Sequence, residues 1–222
     1  MNWTWYAFWL AIPTALALVS AHPSVLVIIA VALVARRWLP DPVLYLRHAG
    51  RVHSLQQQVE INPANATARA QLAEVWLAKR RPRRAIPLLT QALQRDDKSA
   101  ELRYLLGLAY LRAGKPNEAL EPLATALASD PKLRYGSAYL AIGDALAAVG
   151  QRDEAVEAYQ RFLKINTSSL EGYCKLARVL RRSGDAAGAD KACREAVETY
   201  RVLPRYQRRK QLGWWLRAKF ID

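Results

Sequence analysis

One local design recurs four times along this chain at a near-constant spacing, and few folds can accommodate that. The stretches are Leu72-Ala73-x-x-Trp76, Leu106-Gly107-x-x-Tyr110, Ile142-Gly143-x-x-Leu146 and Leu176-Ala177-x-x-Leu180, with first residues 34, 36 and 34 apart. An alanine follows thirteen residues after each start, at Ala85, Ala119, Ala155 and Ala189. Seven residues further on come Ala92, Ala126, Phe162 and Ala196. Three units place a glycine between their halves, at Gly114, Gly150 and Gly184. Self-similarity of this length predicts stacked units, each too small to bury a core alone, that together present a continuous surface.

Inside a unit the apolar and small residues keep helical spacing, as in Leu106, Ala109 and Tyr110, then Ala119, Leu123, Ala126 and Leu127. The central glycine ends one helix and turns the chain into the next. Small residues at Gly107, Ala119 and Ala126 allow two helices to approach, and Leu106, Tyr110 and Leu123 fill the space between them. This arrangement resembles the tetratricopeptide repeat (TPR) family, whose units read W-x-x-L-G-x-x-Y, then A, F, A and P. The resemblance covers residues 66–199 and is fullest in the second unit, where Pro131 stands at the closing proline. Arg69 and Arg103 replace the first Trp, Asp97 and Thr167 the closing proline, and Arg80 the turn glycine. The 36-residue interval implies a two-residue insertion at Arg134-Tyr135.

The first forty residues differ in character. From Asn2 to Ala35 no Asp, Glu, Lys or Arg occurs. As one helix this run would be about 50 Å long, against roughly 30 Å of bilayer hydrocarbon. Ser20-Ala21-His22-Pro23 splits it, because proline disfavours helix in the residue before it and suits a first helical turn. The expectation is a transmembrane hairpin of two short helices, 3–20 and 23–38. Trp3, Trp5 and Tyr6 at one end and Trp38 at the other would then share one membrane interface. Arg36, Arg37, Arg47 and Arg51 follow the second span, while the turn carries no Lys or Arg. The positive-inside bias therefore places the repeats in the cytoplasm; the overall style of the sequence suggests a bacterial-type inner membrane. A signal peptide and a buried hairpin in a soluble protein are the alternatives. The first would need a basic start, which is absent.

The expected architecture is thus all-α. A transmembrane helical hairpin (1–40) leads through a linker helix (41–65) into about four helix-turn-helix repeats (66–99, 100–133, 136–169 and 170–203). A basic, aromatic capping helix (200–222) follows. Net charge is +14, and the last 23 residues carry seven basic groups against one acidic. Lys79-Arg80-Arg81-x-Arg83-Arg84 and Arg205-x-x-Arg208-Arg209-Lys210 are the densest clusters. They suit a solvated face or anionic lipid. Nucleic acid is not expected, since stacking groups or a recognition helix would have to accompany the charge. Leu212-Gly213-Trp214-Trp215-Leu216-x-x-x-Phe220 reads as a cap on the last repeat or as a helix lying in the membrane interface.

No nucleotide, metalloprotease or hydrolase motif occurs, so neither an enzyme nor a cofactor or metal site is expected. Cys174 and Cys193 read as buried, inert thiols. By the family resemblance, the binding surface is the concave face lined by the first helix of each unit. That face would hold Thr67, Ala70, Glu74 and Leu77, then Glu101, Tyr104, Leu108 and Leu111. Ser137, Leu140, Asp144 and Ala147 follow, then Glu171, Cys174, Arg178 and Arg181. Tyr104, Leu108, Leu111, Leu140, Arg178 and Arg181 are the expected partner contacts. Trp3, Trp5, Arg36, Arg37 and Trp38 are the expected membrane-interface contacts. Ala70, Glu74 and Leu105 stand where some family members clamp a terminal carboxylate with Lys and Asn, so an amphipathic helix or apolar peptide suits the groove better. The function these features imply is a membrane-anchored scaffold that holds a protein partner at the cytoplasmic face. The alternatives are an assembly factor delivering partners to a membrane complex and a periplasmic accessory protein of inverted topology. Oligomeric state is not legible.

Overall fold

The structure is a computed structural model that describes residues 42–220. The hairpin expected over 1–40, with Trp3, Trp5, Arg36, Arg37 and Trp38, lies outside the described residues. No helix among the described residues is long and apolar enough to cross a membrane. The chain divides into two units at Arg51/Val52. Of the first, residues 42–51 are described, and they are helical.

Ten helices make up the described residues, and no strand occurs among them. They are α1 (Pro42–Ile61), α2 (Ala66–Ala78), α3 (Pro82–Leu93), α4 (Ala100–Arg112) and α5 (Pro116–Ser129). Then come α6 (Leu133–Val149), α7 (Arg152–Ile165), α8 (Leu170–Arg182), α9 (Ala186–Val202) and α10 (Arg205–Lys219). From α2 to α9 they form four antiparallel pairs, and each helix packs on the next. α2 also touches α4, and α4 touches α6, so the first helices of these pairs run side by side along one face. At the start of the array, Val52 and Leu55 of α1 bury with Leu72 and Val75 of α2.

The ends of the helices are chemically specified. Asn65, Ser99 and Ser169 accept hydrogen bonds from the backbone N–H groups of Ala68, Leu102 and Gly172, capping α2, α4 and α8. Pro82 and Pro116 open α3 and α5 with a residue that has no N–H to leave unpaired. Gly114, Gly150 and Gly184 turn the chain between the two helices of a pair with φ of 78°, 90° and 91°. The first pair makes the same turn through Arg80, at φ 55°.

The repeated small residues are where paired helices meet. Ala85, Ala119, Ala155 and Ala189 are all fully buried, as are Ala92, Ala126 and Ala196. A side chain sixteen residues on fills the space over the small residue of the first helix. A Cβ on Gly107 would lie 2.5 Å from Leu123 Cγ, and one on Gly143 would lie 2.6 Å from Tyr159 Cε1. At Arg134-Tyr135, where the interval lengthens, the backbone is left-handed at three successive residues. Arg134, Tyr135 and Gly136 have φ of 46°, 57° and 78°. Tyr135 is 82% exposed, and the Ser137 hydroxyl donates to the Arg134 carbonyl at 2.7 Å. The extra residues thus form a kink at the head of α6, and the helix resumes a regular course after Gly136.

α10 lies against α8 and α9. Leu203 and Ala218 bury with Leu170, Cys174 and Ala196, and Trp214 and Trp215 pack at the edge of this cluster. Gln211 bridges the connection: its Oε1 accepts from the Leu170 N–H at 2.8 Å and its Nε2 donates to the Ser168 carbonyl at 3.0 Å.

Candidate functional site

The face formed by α2, α4, α6 and α8 is built from half-exposed apolar side chains crossed by two ionic clusters. Leu108, Leu111 and Leu140 are each partly buried and present part of their surface. Leu108 and Leu111 also pack against the core of the first two pairs. Arg178 is exposed, and Arg181 pairs with Asp190 at 2.6 Å. Leu77 and Cys174 are buried, so they belong to the interior of the array.

Tyr104 needs a correction as a surface contact. It is 7% exposed. Arg134 reaches from the kink at the head of α6, pairs with Glu74 of α2 and Glu101 of α4, and lies 5.5 Å over the Tyr104 ring. One guanidinium therefore spans three successive first helices and covers the ring. Cation–π contact and two exposed ion pairs add only modest stability, about 1 kcal/mol each at most. Their consequence is positional: a partner reaches Tyr104 only after Arg134 moves.

The second cluster lies further along. Lys175 of α8 pairs with Asp144 of α6 at 2.6 Å and with Glu171 of its own helix at 2.7 Å. The Tyr159 hydroxyl donates to Asp144 at 2.8 Å. Burial first, and the Asp144 carboxylate second, raise the Tyr159 pKa, which keeps that hydroxyl protonated and donating. Sequence periodicity marks Arg134 as part of an insertion but assigns no contact to it or to Lys175, because both act through partners on other repeats. A separate cleft of about 380 Å³ lies between α5, α6 and α7, lined by Leu127, Tyr139, Ile142 and Leu146 with Glu154, Glu157 and Arg161.

Cys174 sits beneath α10, with its thiol donating to the Trp214 carbonyl at 3.3 Å. Burial, and then the neighbouring Cys193, push its pKa from the usual 9.0 up to about 11. The neutral thiol is favoured by the fold. Its contribution to stability is complete below pH 9 and is lost as pH rises towards 11. At pH 8 its thiolate fraction should be about a hundredfold below that of an unfolded chain. Timed alkylation with iodoacetamide, read by mass spectrometry with and without urea, should show at least that ratio. Equal rates would mean that Cys174 is open to solvent.

Antiparallel helix pairs at a period near 34 residues, with side-by-side first helices, define an α-solenoid of the helix-turn-helix class. Three models described as tetratricopeptide repeat match residues 77–142, 136–179 and 169–203. Together they span more than half of the 222 residues, and the chain belongs to the tetratricopeptide repeat family. In general this repeat is a non-catalytic scaffold for protein interaction. Anaphase-promoting complex subunit 3 of Dictyostelium discoideum is 33% identical over 81 residues, 36% of this chain. The chain spans 8% of that protein's length. Among solved structures, MamA from Desulfovibrio magneticus RS-1, residue 41 to the end, superposes with a TM-score of 0.65. It is 18% identical, over 70% of this chain and 89% of that one. YrrB, described as a TPR protein with an unusual peptide-binding site, gives 0.62 at 17% identity, over 86% and 96%. PilW, a widely conserved type IV pilus biogenesis factor, gives 0.62 at 23% identity, over 81% and 87%. At these identities the likeness is one of fold.

Proposed function

We propose that this chain is a membrane-anchored scaffold whose concave face holds an amphipathic helix or apolar peptide of a protein partner at the cytoplasmic face of an inner membrane. One observation carries the binding half of this reading. Leu108, Leu111 and Leu140 stay partly exposed on adjacent first helices, in a family whose general role is protein interaction. An apolar groove of this kind suits a helix that presents one apolar stripe. The flanking ionic clusters would fix its register rather than supply most of its affinity. The anchoring half rests on sequence: the uncharged run from Asn2 to Ala35, its tryptophans, and the arginines that follow it.

Two measurements test the halves separately. A reporter fused after Asp222 should report the cytoplasm, and a signal from outside it would overturn the topology. For the groove, the double change Leu108→Ser and Leu111→Ser should weaken retention of co-purifying protein about tenfold, or about 1.4 kcal/mol. Circular dichroism should stay native. Serine suits the test because both leucines also touch the core, where a charge would unfold the unit. Undiminished retention by a folded double variant would remove the concave face as the binding surface.

A further inference from the structure

The turn between α2 and α3 carries an arginine cluster that the groove reading does not use. Arg80, Arg81, Arg83 and Arg84 line one open cleft of about 550 Å³, and Arg112, from the last turn of α4, completes it. Pro82 and Ala113 are the remaining lining residues. No carboxylate lines the cleft. None of the five guanidiniums forms an ion pair with a carboxylate among the described residues. Five like charges around one volume repel each other, which opposes folding.

Two of these cations are held in place. The Arg84 guanidinium lies 4.8 Å over the indole of Trp76. Arg112 donates to the Leu77 carbonyl at 3.3 Å, which ties the second unit's arginine to the first unit's turn. A stacked or tethered guanidinium has less freedom to lose when it binds an anion.

The other three turns of the array are an internal reference. In the second pair Lys115 is neutralised by Glu118 at 3.2 Å. In the third, Asp153 and Glu154 occupy the first turn of α7. In the fourth, Asp185 caps α9 by accepting from the Gly188 N–H at 2.8 Å. Each of those turns holds carboxylate. The first holds only cations, although its helix pair is built in the same way.

We propose that this cleft binds a phosphate group through Arg80, Arg81, Arg83, Arg84 and Arg112. The planar guanidinium fork matches pairs of oxygens on a tetrahedral oxyanion, and several forks can share one phosphate. The volume is that of a small-molecule site. A soluble phosphate compound and the headgroup of a phospholipid offer the same oxyanion, and the experiment separates them. The site stands independently of the concave groove.

The test uses the 222-residue chain in mild detergent, titrated with pyrophosphate and, separately, with a short-chain phosphatidic acid below its micelle-forming concentration. Saturable binding is expected for at least one probe. Pyrophosphate alone marks a soluble source, whereas tighter binding of the phosphatidic acid marks a lipid one. The triple change Arg83→Gln, Arg84→Gln and Arg112→Gln should weaken that binding at least about tenfold. Removing the same charge elsewhere, by Arg205→Gln, Arg209→Gln and Lys210→Gln, should change it less than about twofold. Lysine at the three cleft positions keeps the charge without the fork and should fall between native and glutamine. The proposal is overturned if neither probe saturates, or if the distant triple costs as much as the cleft triple. It is equally overturned if a glutamate-rich peptide displaces pyrophosphate at matching concentration, because the surface would then read negative charge in general.

Discussion

Replacing Gly107 by leucine should lower the unfolding free energy by about 3 kcal/mol, the upper part of the range for overpacking a close-packed core. For a chain of this size that corresponds to a fall in Tm of about 6–12 °C. A Cβ at Gly107 would lie 2.5 Å from Leu123 Cγ, 2.8 Å from Leu123 Cδ2 and 3.2 Å from the Ala119 carbonyl oxygen. Leu123 and Ala119 are fully buried, so the leucine has no open rotamer to retreat to and the backbone carbonyl cannot rotate away. α4 must therefore separate from α5. Stability in a repeat array depends on contacts within and between neighbouring units, so the damage should spread to α3 and α6 and blunt the cooperativity of melting. Gly213 is the control. It lies within α10 with nothing within 4 Å of its would-be Cβ. Gly213→Ala should therefore be neutral or stabilise by up to about 1 kcal/mol through helix propensity. An unchanged Tm for the Gly107 variant would mean that α4 and α5 do not meet at this glycine.

That contact shows which part of the fold the sequence reveals. The repeat is written in residues that meet within one helix pair, such as Gly107 with Leu123. Their spacing is local and recurs, so periodicity exposes it. The solenoid class, the turns at Gly114, Gly150 and Gly184 and the irregularity at Arg134-Tyr135 all follow from such spacing. Contacts between units obey no period. Arg134 finds Glu74 and Glu101 on two earlier repeats, and Lys175 finds Asp144 on the preceding one. Tyr104 reads as a surface residue because its register is that of the inner face, and a side chain from the kink at the head of α6 covers it. The arginine cleft shows the same division. Residues 79–84 announce themselves as a basic run, but Arg112 joins them only through the stacking of the second unit on the first.

Ending the chain after Pro204 should uncover the last helix pair and make the protein aggregate. Leu170, Cys174 and Ala196 are fully buried in a cluster that α10 closes with Ala218, Trp214 and Trp215. Without α10 the Leu170 N–H and the Ser168 carbonyl also lose Gln211. Exposed apolar surface at the end of a solenoid is what terminal capping elements prevent. Truncation removes charge as well as cover, so a milder variant separates the two. Trp214→Ala with Trp215→Ala keeps every basic residue of α10. It removes the stack of Trp215 on Tyr200, whose ring centroids lie 5.1 Å apart. Both indoles are half-buried, which places the expected loss near the lower end of the range of about 3–5 kcal/mol for replacing a core aromatic by alanine. Cys174 reports the same event chemically. Once α10 loosens, the thiol loses the Trp214 carbonyl and its apolar cover, and alkylation at pH 8 should accelerate towards the unfolded rate. Aggregation with fast Cys174 labelling in the truncation, and lowered Tm with faster labelling in the double variant, would show that packing by α10 closes the array. A truncated chain that stays monomeric, melts like the native one and still protects Cys174 would show that the last pair needs no cover. α10, with Leu212 and Leu216 exposed along it and Phe220 exposed just past its end, would then have to be explained by what it touches outside this chain.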